Sequence, residues 1–211
     1  MSTKLNEEVA KIIIETGVVT FSPHKPFIGV SGIRLPLYCD HRILMAFVDQ
    51  REHVTKAYID MIQSLQIPCE IIAGVAKGGI PHAAWIAAAL RKPMIYVRDK
   101  PKDHGKQNLI EGKLEVGQSV LVIEDLISTG GSSVNAVEGV RHSGGKVKHC
   151  LAIMTYGLAE ATEKFQKIDC RLTTLTDLNT VVRVAREKNL ISNSDEILIR
   201  KFAANPRGWK A

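Results

Sequence analysis

The chain predicts an α/β fold, with a mainly parallel central sheet flanked by helices on both faces and a small hood over the sheet's carboxyl edge. Two observations predict the sheet. Apolar runs without alternation recur at 70–76, 94–97, 120–123 and 147–156, as in parallel strands buried on both faces. Helical patterns separate them, and strands alternating with helices at this spacing build βαβ units. A third observation predicts the hood: the segments before residue 66 and after residue 176 lack this alternation.

Taken in order, 6–16 reads as a helix, with Asn6 as its N-cap, Glu7 and Glu8 in the first turn and Gly17 at its end. A short strand over 18–21 follows. Pro23, Pro26, Gly29 and Gly32 keep 22–32 irregular, and 31–42 (SGIRLPLYCDHR) reads as a loop leading into an edge strand interrupted by Pro36. Val54, Tyr58, Met61, Ile62 and Leu65 recur at helical spacing, so 53–65 is a helix. The strand 70–76 enters a tight turn at Lys77, Gly78 and Gly79. A helix over 80–90 follows, with Pro81 at a permitted first-turn position. Downstream, the reading is strand 94–97, strand 147–156, helix 159–166, strand 171–175 and helix 178–188. Ser194 is read as the cap of a last helix running to Phe202, and the tail beyond Ala203 as a surface segment. The whole chain is one domain, its core from about 66 to 176 and its hood from about 1 to 65 plus the C-terminal segments.

The most informative stretch is 120–133, VLVIEDLISTGGSS. An apolar strand ends in two carboxylates, Glu124 and Asp125, where open α/β sheets place their ligands. Ser128, Thr129, Gly130, Gly131, Ser132 and Ser133 can then turn backbone N–H groups and hydroxyls toward one anion. Behind them, a helix with Val134, Val137 and Val140 on one face adds its positive dipole end. Carboxylates beside a bare phosphate would repel it. A sugar phosphate removes the conflict: the nest takes the phosphate, and the acids accept hydrogen bonds from sugar hydroxyls or hold a hydrated Mg²⁺. An ordinary strand-to-helix turn with a capping Ser is the plain alternative. Neither a G-x-x-x-x-G-K-[ST] loop nor a G-x-G-x-x-G fingerprint is present.

The 211 residues carry a net charge of +6, which favours anionic partners. Aromatic residues are only 5% and no long Lys/Arg block occurs, so small phosphorylated ligands suit the charge at least as well as nucleic acid. Cys39, Cys69, Cys150 and Cys170 are scattered, and no secretory signal precedes them. That reads as free thiols in a reducing compartment, hence the cytoplasm. The histidines show no zinc-ligand spacing, no side chain is assigned as a direct metal ligand, and no apolar run can span a bilayer.

Residues 98–108, RDKPKDHGKQN, have no apolar side chain and read as a solvated loop. The loop leaves a core strand at the ligand edge and presents Arg98, Lys100, Lys102 and Lys106, cations suited to a pyrophosphate. Such a loop can close over a diphosphate, exclude water and stabilise charge on a leaving group.

These residues carry a resemblance. VLVIEDLISTGGSS resembles the phosphoribosyl pyrophosphate (PRPP) signature of the type I phosphoribosyltransferases. YVRDKPKDHGKQNLIEG and SGIRLPLYCDHR are similar to the flexible loop and hood loop of the orotate phosphoribosyltransferases. The resemblance covers about 27–156, and the spacing of Arg98, Lys102, His104 and Gly105 is its most specific part. It implies a type I phosphoribosyltransferase-like fold and transfer of the phosphoribosyl group of PRPP to orotate. The products are orotidine 5′-monophosphate, on the route to UMP, and pyrophosphate, with Mg²⁺ required.

The resemblance also implies roles. Glu124 and Asp125 hold the ribose hydroxyls. The run Leu126, Ile127, Ser128, Thr129, Gly130, Gly131 and Ser132 forms the PRPP loop, with Ser128 also near orotate. Lys77 and Gly78 meet the pyrophosphate through backbone groups. Arg98, Lys102 and His104 act on the pyrophosphate from a lid that reaches the other subunit's site, which implies a homodimer. Ser31, Gly32 and Arg34 sit in the hood, and Arg34 and Tyr38 belong to the orotate site. This chain departs from the family's pattern at Glu124, where many members have Asp, and at Asp99, where many have Lys. It also carries no Arg within 154–161 to grip the orotate carboxylate. Two other readings stand beside this one: a phosphoribosyltransferase for another base, and a PRPP-sensing regulator that binds nucleic acid.

Overall fold

The computed structural model describes residues 3–29, 32–99 and 109–210. The chain begins with helix α1 (Thr3–Glu15), closed by Gly17 at φ 74°. Asn6 lies inside α1 rather than capping it. Its side chain donates to Asp177 (3.0 Å) and accepts from Thr176 (2.8 Å), pinning α1 to the far edge of the main sheet.

Four short strands follow: β1 (Val19–Phe21), β2 (Phe27–Ile28), β3 (Arg34–Leu35) and β4 (Leu37–Cys39). They form two small antiparallel pairs, β1 with β4 and β2 with β3, so 31–42 holds two strands split at Pro36 rather than one edge strand. A 3₁₀ helix (His41–Ala46) leads into α2 (Val48–Ser64). α2 starts five residues before the periodicity shows it, because its N-cap, Phe47, makes no side-chain capping bond that a sequence pattern would reveal.

The core then runs β5 (Ile71–Val75), α3 (Gly79–Leu90), β6 (Met94–Val97), β7 (Ile110–Glu111), β8 (Ser119–Ile127), α4 (Gly131–His142), β9 (Lys146–Thr155), α5 (Ala159–Lys167) and β10 (Arg171–Asp177). The six strands lie in the order β10-β9-β8-β5-β6-β7, all parallel except β7 against β6. Counted from β5, this is the doubly wound order 3-2-1-4-5-6, with its topological switch between β5 and β8.

Continuous apolar runs suit these strands because alternate side chains feed two cores. Ile72, Leu121, Ile123, Leu151 and Ile153 pack with α1, α2, α3 and the C-terminal helices. Ile71, Ala73, Val75, Val120, Val122, Cys150 and Ala152 pack with α4 and α5 on the opposite face.

The C-terminal helices are α6 (Leu178–Glu187) and α7 (Asn193–Ala204). Ser192, not Ser194, caps α7, in a capping box with Asp195. The segment beyond Ala203 is not merely superficial. Trp209 is buried, packs edge-on against Phe202 and donates its indole N–H to the Leu198 carbonyl (2.9 Å). Among the described residues, no helix is long and apolar enough to cross a membrane.

Candidate functional site

The acid pair lies inside β8, not after it. Glu124 pairs with Ala152, and the ladder continues through Leu126 and Ile127 to Met154 and Thr155. β5, however, stops pairing with β8 at Ile123. From Glu124 onward that side of β8 is therefore free to face the turn that follows β5, and the switch point opens at the acids.

The two carboxylates have different surroundings. Glu124 is 4% exposed. One oxygen accepts from the Ser133 hydroxyl (3.0 Å) and the other from the Asp125 backbone N–H (3.1 Å). Burial, and then the adjacent Asp125, push the pKa of its carboxyl well above the usual range. The Asp125 side chain is 20% exposed and lies over the turn after β5. A Cβ on Gly78 would fall 2.3 Å from the Asp125 carboxylate, and one on Gly79 2.3 Å from the Ile123 carbonyl. Only glycine permits this close approach of the turn to β8. Lys77 is exposed beside them, and the Ala76–Lys77 peptide is cis.

The small-residue loop is shorter than its sequence suggests. α4 begins at Gly131, so Gly131, Ser132 and Ser133 form its first turn. Gly130 precedes them at φ 74°, and no side chain caps the helix, which leaves its first N–H groups facing the loop. Lys164 on α5 reaches the same place, donating to the Thr129 carbonyl (3.1 Å) and to Glu160 (2.8 Å). It brings a cation to the nest that sequence reasoning missed. Its only sequence signal was the i,i+4 pair with Glu160, which reads as ordinary helix-surface pairing.

Ser128, Thr129 and Ser132 line a cavity of about 430 Å³ with Tyr38, Leu35, Cys39, Leu126 and Tyr156. Tyr38 and Ser128 are thus brought together, with Tyr38 tilted against Phe27 at 5.6 Å between centroids. Arg34 instead lines a neighbouring cavity of about 560 Å³ beside Arg207 and Lys210 of the C-terminal segment. On the other side of the nest, Arg98 and Asp99 share a cavity of about 320 Å³ with Ser132 and Asn135. Arg98 contacts Glu111 (3.4 Å), and its N–H donates to the Leu109 carbonyl (2.8 Å). Arg98 and Leu109 are therefore tied together beside this cavity. Lys102, His104 and Ser31 lie outside the described residues. Among the described residues, no group of three or more His, Cys, Asp or Glu side chains could hold a metal ion.

A phosphoribosyl transferase domain matches residues 47–186. An orotate phosphoribosyltransferase from Staphylococcus saprophyticus is 46% identical over 187 residues, covering 89% of this chain and 92% of that protein. The chain belongs to the orotate phosphoribosyltransferases. Solved structures agree with this membership. The orotate phosphoribosyltransferase from Aeropyrum pernix superposes with a TM-score of 0.75 at 28% identity, over 87% of this chain and 99% of that one. The UMP synthase from Leishmania donovani superposes at 0.82 and 26% identity over 94% of this chain, which spans 42% of that longer protein. As in a type I phosphoribosyltransferase, the sheet is six-stranded and mostly parallel, with helices on both faces. At the switch point between β5 and β8 this chain thus places Asp125 against the glycine turn after β5, with the uncapped start of α4 following the same strand.

Proposed function

We propose that the protein transfers the 5-phosphoribosyl group of PRPP to orotate, in pyrimidine nucleotide synthesis. The observation that carries this reading is the meeting, at one switch point, of Asp125, the α4 nest and the glycine turn after β5, next to the cavity lined by Tyr38 and Ser128. In the reaction the orotate N1–H bond gives up its proton to water, N1 bonds to the ribose C1, the C1–O bond to pyrophosphate breaks, and that bond's electron pair leaves with pyrophosphate. Such a transfer needs no side-chain nucleophile. It needs two reactants held in line and charge stabilised on the departing group.

Each part of the site has a task in this scheme. Ser128, Thr129, Gly130, Gly131 and Ser132 hold the 5′-phosphate through backbone and hydroxyl donors, with Lys164 adding positive charge. Asp125 accepts hydrogen bonds from the ribose hydroxyls. Glu124, buried and fixed by Ser133, braces the strand beneath it. Backbone groups of Lys77 and Gly78 meet the pyrophosphate, and Arg98, Lys102 and His104 neutralise it as it leaves. Orotate lies in the Tyr38–Ser128 cavity, with Arg34 on the neighbouring side facing its carboxylate.

The donor set fits a Mg²⁺ that arrives on the substrate. A single partly exposed carboxylate, Asp125, beside the diphosphate of the substrate would suit a hydrated ion that keeps several waters. When bound, the ion supplies charge neutralisation on the pyrophosphate oxygens.

Three further elements belong to the proposal. The β1–β4 and β2–β3 pairs and the C-terminal segment act as a hood over the carboxyl edge. The protein works as a homodimer in which 98–108 serves the partner's site. Exposed Ile43, Met45, Phe47 and Val48 support this, since they adjoin the α2–α3 groove where Arg51 stacks on Trp85 at 5.1 Å. The site of action is the cytoplasm, in keeping with four free cysteines.

The test is loss of orotate absorbance on mixing protein, orotate, PRPP and Mg²⁺. The expected result is a PRPP-dependent loss that stops when Mg²⁺ is chelated. Turnover of PRPP with a purine but not with orotate would overturn the assignment of the base. Salt-resistant binding of DNA or RNA without turnover would favour a regulator instead.

A further inference from the structure

His41 opens the 3₁₀ helix between the hood strands and α2. Its side chain is fully buried, and neither ring nitrogen has a hydrogen-bond partner among the described residues. Buried polar atoms are almost always paired, and the exceptions concentrate where a ligand or a moving group completes them. The flanking residues do not relieve His41. Asp40 turns outward, taking Arg42 in a two-pronged contact at 2.7 and 2.8 Å. His82 on α3 is also buried, with its own Nδ1 unpaired, and Tyr58 gives its hydroxyl to the Glu124 carbonyl.

The carboxylate that approaches His41 is Asp125, with 3.8 Å between Nδ1 and Oδ2. That distance is just beyond a hydrogen bond, and a small rotation of the Asp125 side chain would close it. Asp125 thus stands between two walls, the glycine turn at Gly78 on one side and the His41 ring on the other. An imidazole has one N–H to give, and with Nδ1 turned toward Asp125 that N–H belongs there.

We propose that His41 is a positioning residue for the transfer: its Nδ1–H donates to the Asp125 carboxylate and aims that carboxylate at the ribose hydroxyls of bound PRPP. The proposal rests on the reading of Asp125 given above. It also explains why a polar ring occupies a fully buried place that an apolar side chain would fill at less cost. Neutral imidazole in water favours the Nε2–H tautomer, so a carboxylate at Nδ1 must select the other one.

The test is a kinetic cycle with His41→Ala, His41→Asn, Asp125→Asn and the double variant His41→Ala/Asp125→Asn. His41→Ala should raise the KM for PRPP roughly tenfold, the usual worth of a charge-assisted hydrogen bond, and leave the KM for orotate unchanged. His41→Asn places an N–H near the Nδ1 position and should stay within about threefold of wild type. In the Asp125→Asn background, His41→Ala should add nothing further. A filler role in the core predicts equal losses in both backgrounds and no rescue by Asn, and that pattern overturns the proposal. Asp125→Asn at wild-type KM would instead sink the reading of the site itself. The wild-type protein gives a check that does not depend on variants. Long-range ¹H–¹⁵N spectra with Mg²⁺ and PRPP should show His41 as the Nδ1–H tautomer, and an Nε2–H tautomer contradicts it.

Discussion

The Tyr58 hydroxyl donates to the main-chain carbonyl of Glu124 at 2.8 Å, across 66 residues of sequence, inside a fully buried contact. This bond ties α2 to the part of β8 that has already left β5. It holds the strand in place where the sheet no longer does.

Removing that tie should loosen the acid pair more than the core. Tyr58→Phe keeps the ring and leaves the Glu124 carbonyl with one partner fewer. A loss of about 1 kcal/mol is expected, which for a chain of this size lowers Tm by roughly 2–4 °C. Thermal unfolding beside PRPP kinetics checks it. An unchanged Tm would mean that the hydroxyl bond contributes nothing net.

Lys164 should matter to phosphate binding. Lys164→Ala removes a cation that contacts the Thr129 carbonyl. The KM for PRPP should rise by roughly tenfold, and inhibition by ribose 5-phosphate should weaken in parallel. A lowered Tm with unchanged KM would make Lys164 a strut for the loop rather than a phosphate partner.

The charged loop should act on the leaving group. Lys102→Ala is expected to lower kcat by roughly 10²-fold or more, as loss of a transition-state charge stabiliser does. A rise in KM alone would make the loop a binding contact only. Mixing Lys102→Ala chains with Asp125→Asn chains should restore one working site per hybrid dimer. Verified hybrids that stay inactive would argue against a loop shared between subunits.

Acid should destabilise the fold through His82. Burial depresses its pKa from 6.5 to about 4, so the folded protein resists protonation that the unfolded chain accepts. The stability from this group is complete above pH 6.5 and is lost as pH falls toward 4, up to about 3 kcal/mol. His41 shifts in the same direction. Urea midpoints between pH 7 and 4 should fall less steeply for His82→Gln than for wild type. Equal slopes would remove His82 from the account.

The core strands were legible because β5 and the second half of β9 are buried on both faces, and β5, β6 and β9 show as largely apolar runs. The elements that escaped notice had no such signal. β7 is two residues long, and the start of α2 has no capping side chain. β8 was cut short at Ile123 because carboxylates read as loop, whereas Glu124 is a buried strand residue. The box formed by Ser192 and Asp195 was written in the sequence, and the nearby Ser194 drew attention from it. In the site, Asp125, Gly78 and the nest were readable because motif chemistry is local. His41 and Lys164 were not, since nothing in one sequence says that a residue of the hood loop or of α5 will meet β8 or the nest.

The most direct measurement is a calorimetric titration of PRPP with Mg²⁺ into wild type and Asp125→Asn. If Asp125 at the switch point grips the ribose, wild type binds and the variant binds at least tenfold more weakly, with Tm unchanged. Equal affinities in two folded proteins would contradict the account, because the acid at the opening between β5 and β8 would then not face the substrate.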